Sequence, residues 1–150
     1  MRVASRRARR HRAVGSGALR QVQVGPIGGQ SGWLVRNKLV ERLGEQGGGT
    51  AIYRLDVTLD DNITSFGIRG DRAATRERRT LRARYQLVSL DNGAVLLDAT
   101  AGSDSGIDIV SSEYATVAAE QTALEQLSDI VADQIVARLS LYAARSTPAK

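Results

Sequence analysis

Between Tyr53 and Asp60 apolar and polar residues alternate without a break, Tyr53, Leu55, Val57 and Leu59 against Arg54, Asp56, Thr58 and Asp60. A period of two puts successive side chains on opposite faces of a strand, so this stretch demands a sheet with one buried face and one wet face. The same rule governs Leu81, Ala83, Tyr85 and Leu87, which alternate with Arg82, Arg84 and Gln86. Asp91-Asn92-Gly93 then supplies a tight turn into Val95, Leu97, Ala99 and Ala101, which predicts a hairpin. After the first of these strands, Asp60-Asp61-Asn62 predicts a bend or bulge, with Ile63, Phe66 and Ile68 extending the strand. The polar segment from Arg69 to Arg78 reads as a long hairpin loop, and Gly102 to Asp108 reads as a second polar loop.

Helical periodicity flanks this core. Val22 and Val24 alternate with Gln21 and Gln23 as a short first strand, and Gly25-Pro26 and Gly28-Gly29 punctuate the chain after it. Ser31 is placed to cap a helix whose apolar positions Val35, Leu39, Val40 and Leu43 recur at three- and four-residue spacing, with Gly44 positioned to end it. Trp33, at the edge of that stripe, reads as a core anchor on the sheet. Gly47 to Gly49 read as a flexible connection. Ser111 or Ser112 caps a last helix with Glu113 near the positive end of its dipole. Its stripe, Tyr114, Val117, Leu124, Leu127, Val131, Ile135, Leu139 and Tyr142, spans about 30 residues, or roughly 45 Å at 1.5 Å per residue, long enough to expect a bend or break. The predicted fold class is α+β in the order β-α-β-β-β-α, one mixed four-stranded sheet with two helices packed on one face. The domain is expected over residues 18–145, with residues 1–17 a disordered basic tail and 146–150 a disordered end.

Composition narrows the function. Aromatics make up only 4% of the 150 residues, so the core must be aliphatic. The net charge of +5 suggests nucleic acid until it is located: Arg2, Arg6, Arg7, Arg9, Arg10 and Arg12 carry six positive charges, and without them the remainder stands at about −1. The lack of cysteine removes disulfides, thiolate ligands, thiol nucleophiles and a lipid-modified cysteine from the sequence as written. No stretch approaches the roughly 18 to 20 apolar residues of a transmembrane helix, and no apolar segment of roughly 7 to 15 residues follows the Arg-rich start as in a secretory signal. Taken alone, the sequence predicts a chain that is not exported.

Catalysis is not expected. Proton transfer, metal binding and nucleophile activation at neutral pH most often recruit histidine, and the single one, His11, lies in the tail. Asp60-Asp61 reads as turn chemistry rather than as an acid–base pair. Asp104 and Asp108 match no EF-hand spacing, and Gly25-x-x-Gly28-Gly29 lacks the lysine of a phosphate-binding loop. Arg69-Gly70-Asp71 is a three-residue match of high chance frequency. No cofactor and no metal are expected.

One constellation has chemical content. Arg69, Arg72, Arg76, Arg78 and Arg79 in the predicted loop, then Arg82 and Arg84 on the wet side of the following strand, place seven guanidiniums within sixteen residues. Such a group holds phosphates or carboxylates in bidentate geometry. Equally, it forms a solvated strand face paired with Asp56 and Asp98 on neighbouring strands. A cytoplasmic nucleic-acid-binding module using the tail and the Arg82/Arg84 face is the alternative function. Against it stand the aromatics, read mostly as core, and the absence of a free recognition helix.

Three segments carry a further signal: Arg76-Glu77-Arg78-Arg79-Thr80-Leu81-Arg82-Ala83-Arg84-Tyr85-Gln86-Leu87, Gly93-Ala94-Val95-Leu96-Leu97-Asp98, and Ser111-Ser112-Glu113-Tyr114-Ala115-Thr116-Val117-Ala118-Ala119-Glu120. Together with Val24-Gly25-Pro26-Ile27 and Ala132-Asp133-Gln134-Ile135-Val136-Ala137-Arg138-Leu139, they resemble the LptE (RlpB) family of lipopolysaccharide-assembly lipoproteins in its alphaproteobacterial form, from about Ala18 to Arg145. The resemblance implies a non-enzymatic lipoprotein on the periplasmic side of the outer membrane. It would dock in the large LptD-type β-barrel and assist lipopolysaccharide transport to the cell surface, with no nucleic acid among its partners. Contact of Arg76, Arg79, Arg82 and Arg84 with lipid A phosphates is a hypothesis added to that resemblance. The family's apolar export segment and lipid-modified cysteine, its anchor to the outer membrane, are absent from this sequence. Residues 1–14 accordingly read as a wrongly chosen start or a shifted reading frame.

Overall fold

A computed structural model describes residues 21–43, 51–67, 74–109 and 112–146. Four strands and two helices follow in the order β1 (Val22–Val24), α1 (Gly29–Leu43), β2 (Tyr53–Gly67), β3 (Ala74–Ser89), β4 (Val95–Asp108) and α2 (Glu113–Ser146). The sheet order is β1-β2-β3-β4. β1 lies parallel to β2 through the α1 crossover, whereas β2, β3 and β4 form an antiparallel meander. The α+β architecture is the one the alternation predicted, a mixed four-stranded sheet with both helices on one face.

The period of two sets the core. Register places Leu55 beside Leu87, Val57 beside Tyr85 and Leu59 beside Ala83, and continues to Leu97, Ala99 and Ala101 on β4. Those side chains meet Val35 and Leu39 of α1 and Leu124, Leu127, Val131, Ile135 and Leu139 of α2 in one apolar layer. Aliphatic burial of this kind stabilises by roughly 25 cal/mol per Å² of apolar surface removed from water. Across the sheet no helix of the described residues covers the other face.

Both helices start at identifiable signals. Ser112 Oγ accepts from the Ala115 amide at 3.2 Å and serves as the cap expected for α2, while the other candidate, Ser111, lies outside the described residues. α1 begins at Gly29, which takes φ +82°, two residues earlier than the Ser31 cap predicted. A β-carbon on Gly32 would lie 2.3 Å from the Ile27 carbonyl oxygen, so the first turn of α1 packs against its own incoming loop only because that residue has no side chain. Arg42 bonds Asp129 and Asp133, and Lys38 pairs with Asp129 at 2.9 Å, tying α1 alongside α2.

Several local expectations need correction. Asp60-Asp61-Asn62 neither bends nor bulges; the register with β3 runs regularly through them and shifts only between Phe66 and Gly67. Ala74–Arg78 belong to β3 and Gly102–Asp108 to β4, so the described part of the first predicted loop and all of the second are strand, while residues 69–73 lie outside the described residues. Ladder hydrogen bonds to neighbouring strands hold these polar segments extended where no apolar pattern asks for it. α2 is continuous over 34 residues and does not break. At about 1.5 Å per residue it spans roughly 50 Å, comparable to strands of 14–16 residues at about 3.3 Å each. Trp33, Tyr114 and Val117, expected in the core, are 64%, 84% and 56% exposed. Trp33 stands on the flank of α1 away from its buried stripe, and Tyr114 and Val117 precede the stretch of α2 that meets α1. Gly44, Gly47 to Gly49, Ile68, the tail and the last four residues lie outside the described residues.

Candidate functional site

The strand alternation that buries Leu81, Ala83 and Tyr85 sends Arg76, Arg78, Arg82 and Arg84 to the uncovered face of the sheet. There the central strand is an arginine ladder flanked by acids on its neighbours. Arg84 Nη2 reaches Asp98 at 3.0 Å, Arg78 Nη1 reaches Asp104 at 3.0 Å, and Arg76 Nε approaches Asp108 at 3.5 Å. On β2, Arg54 Nε pairs with Asp56 at 2.9 Å. The face is thus an ordered alternation of charge rather than a uniformly basic patch: guanidiniums stand in a row, most of them engaged by a neighbouring carboxylate, with Asp98 held by Arg84 as the strand-face reading expects and Asp56 held by Arg54 instead of by the cluster.

Arg82 is the exception. It stands opposite Asp60 on β2 and Gly102 on β4, yet makes no ion pair among the described residues. Asp60 instead accepts the Asn62 side-chain amide at 2.9 Å. Arg82 lies with Thr58, Thr80, Arg84 and Thr100 in a shallow open depression of about 710 Å³. A β-carbon on Gly102 would come within 3.3 Å of Arg82 Cγ, so that glycine gives the Arg82 stem room to lie across β4. Asp60 and Asp104 line the same depression, and the hydroxyls with the guanidinium of Arg82, which has no ion pair among the described residues, are the groups in it that an oxyanion such as a phosphate could meet. The flanking pairs are exposed to water and screened, hence weak, so an incoming anion can exchange with their carboxylates.

Arg79 does not join this group. Its register with Ile63 and Ser105 places it on the helix side, where it grips Asp61 through two bonds of 2.9 and 2.8 Å and donates to the Glu120 carbonyl of α2 at 2.8 Å. Its guanidinium is held above its ordinary pKa first by the Asp61 hydrogen bonds. Arg69 and Arg72 lie outside the described residues. Four of the seven predicted arginines therefore come together on one face, and a fifth braces the β2–β3 hairpin against α2.

Sequence reading passed over two features. Asp104 and Asp108 act as cross-strand partners of Arg78 and Arg76, which extending the period of two through Gly102–Asp108 would have revealed. Glu77, on the helix side of β3, faces Glu120 of α2; its Oε1 is buried and, among the described residues, has no hydrogen-bond partner. Glu77 is held above the usual carboxylate range by the Glu120 contact first and by burial second. No local periodicity reports a contact across 43 residues of chain.

Among the described residues no group of three or more His, Asp or Glu side chains is arranged to hold a metal ion, and no helix is long and apolar enough to cross a membrane. Comparison with known proteins adds the context for the ladder. No curated protein sequence matches the chain significantly. In solved structures, a protein of Caulobacter crescentus assigned as a lipoprotein superposes with a TM-score of 0.71 at 27% identity, over 89% of this chain and 98% of that one. The rare lipoprotein B of Shewanella oneidensis has the same fold with a TM-score of 0.63 at 8% identity, over 83% of this chain and 96% of that one. A minor lipoprotein of Acinetobacter baumannii also shares it, with a TM-score of 0.63 at 13% identity over 80% and 90% of the two chains. The family profile for lipopolysaccharide assembly, LptE, matches residues 19–139, nearly the whole sheet-and-helix unit, and the chain belongs to that family.

Proposed function

We propose that this chain is a non-enzymatic subunit that docks in an LptD-type outer-membrane β-barrel and assists lipopolysaccharide transport to the cell surface. It would work from the periplasmic side of the outer membrane. Family membership over residues 19–139 supports the lipopolysaccharide-assembly role. The observation that carries the docking reading is the sheet face left open by both helices. Its charges alternate in sign, and the interior of a large outer-membrane barrel is polar, so this mostly polar face, on which Phe66 lies under Arg78, suits it. Arg82, with Arg76, Arg78 and Arg84 around it, is the proposed contact for the phosphates of lipid A, while Arg79 braces the fold that presents them. Arg69 and Arg72 belong to the same proposal as neighbours in sequence.

Two measurements test this. Affinity isolation of the full chain from native outer membranes should co-purify the barrel; its absence, with the chain folded, sinks the docking reading. Binding of purified lipopolysaccharide should weaken several-fold in Arg82→Ala. Equal affinity of the variant and the parent chain would remove Arg82 from the phosphate contact.

A further inference from the structure

The sheet has an edge that its own topology leaves open. Tyr53 N donates to Gln21 O, and Leu55 O accepts from the Gly25 amide, so Tyr53 and Leu55 direct their backbone groups outward, toward β1. β1 ends at Val24, and Pro26, which has no amide hydrogen, carries the chain away into α1. β2 continues to Gly67 with regular register as far as Phe66. Backbone direction alternates along a strand, so Leu59, Asp61, Ile63 and Ser65 also point their N–H and C=O groups outward, where no described element pairs with them. The opposite edge is better protected, because Gln134 of α2 bonds both the amide and the carbonyl of Gly102 on β4, at 2.9 and 3.2 Å.

The two sides of the open edge differ in chemistry. On the helix side Leu59 is incompletely covered and Ile63 is 40% exposed. Arg36, one turn beyond the exposed Trp33, donates to Val24 O of β1, so this flank of α1 lies along the end of β1 where the open edge begins. On the open side Asp60 makes no ion pair among the described residues. A strand added here would bury apolar side chains against Leu59 and Ile63 and place alternate side chains beside Asp60. Pairing with a second copy is disfavoured, because the aspartates of the sheet, Asp56, Asp60 and Asp61 on β2 and Asp98, Asp104 and Asp108 on β4, lie on the strands flanking β3, and edge-to-edge contact would oppose like charges.

We propose that the β2 edge from Leu59 to Ser65 is a docking site for an extended segment of a partner protein, alternating apolar residues with lysine or arginine, which joins the sheet as an additional strand. Backbone bonds would supply affinity and the alternation would supply specificity. This inference does not rest on the barrel-docking reading.

The test uses the full chain and a ten-residue synthetic peptide alternating valine with lysine, with a valine–glutamate peptide as control. Amide hydrogen exchange is followed residue by residue. The valine–lysine peptide should slow exchange at Leu59, Asp61, Ile63 and Ser65, and the glutamate peptide should not. Ile63→Pro removes an outward amide without touching the ladder to β3 and should abolish that protection while thermal unfolding stays cooperative. If Ile63→Pro fails to fold, Asp60→Asn decides: the lysine peptide should bind it several-fold more weakly. The proposal is overturned by equal protection from both peptides or from neither. It is also overturned by an edge already protected in the free chain, which would mean that residues 1–20 occupy it if the chain is monomeric, or a second copy if it is a dimer.

Discussion

Single residues set the tolerances of this fold, and four give sharp expectations. Gly32 lies where a β-carbon would sit 2.3 Å from a backbone oxygen of Ile27, which cannot swing aside as a flexible side chain could. Gly32→Ala should therefore destabilise, despite its better helix propensity, by about 1–3 kcal/mol, read as a lower denaturant midpoint. Ser128 is fully buried on α2 with its hydroxyl unpartnered among the described residues. Ser128→Ala removes a desolvated polar group at little cost in volume and should leave stability unchanged or raise it by up to about 1 kcal/mol in the same measurement. Arg82 is the guanidinium on the open face without an ion pair among the described residues, so Arg82→Ala should leave the melting temperature close to the parent value. Arg79→Ala, by contrast, strips Asp61 and the Glu120 carbonyl of a partner and should lower it.

Between elements, the ties carry opposite signs of pH dependence. Glu77 joins β3 to α2 through Glu120, and its folded-state pKa is raised; that contribution is full below the ordinary carboxylate value of about 4.3 and is lost as pH rises through the raised one. Asp129 joins α2 to α1 and is lowered, chiefly by the Lys38 hydrogen bond; its contribution is present above about 3.9 and disappears as pH falls. Thermal melts across pH should show Glu77→Gln gaining on the parent chain as pH rises, and a flat difference between the two would show that the fold does not raise Glu77. The elements themselves were legible wherever one face is buried: the alternations at 53–60 and 81–87, the Asp91-Asn92-Gly93 turn and the Leu124–Leu139 stripe all form as expected. Legibility failed at the polar ends of β2, β3 and β4. There Asp61, Arg78 and Gly106 sit in strands because a neighbour's backbone is in reach, and a single segment's pattern holds no record of its neighbours. Trp33 and Tyr114 failed for the converse reason, since an aromatic near an apolar stripe need not lie on the buried side of its helix. In the candidate site, the row of arginines was visible in sequence; its division between two faces, with Arg79 turned to the helices, followed only from register.

As a whole, the molecule is a two-layer slab of roughly 50 Å whose helices cover one sheet face and leave the other as a ladder of alternating charge. The chain belongs to the LptE family, and in the proposed reading the helical layer holds the shape while the open face and the β2 edge meet partners. The family resemblance was readable before any fold, since it rests on several segments in order, whereas the surfaces that serve it needed the sheet to be assembled. The most direct test is site-specific photocrosslinking in native outer membranes, with the reactive group placed at Arg82 or Thr100 on the open face, or at Glu125 or Arg138 on α2. Crosslinks to the barrel from the sheet positions, and none from the helix positions, are the predicted result. Crosslinks from α2 alone would contradict the account by showing that the helical layer, and not the arginine ladder, faces the partner.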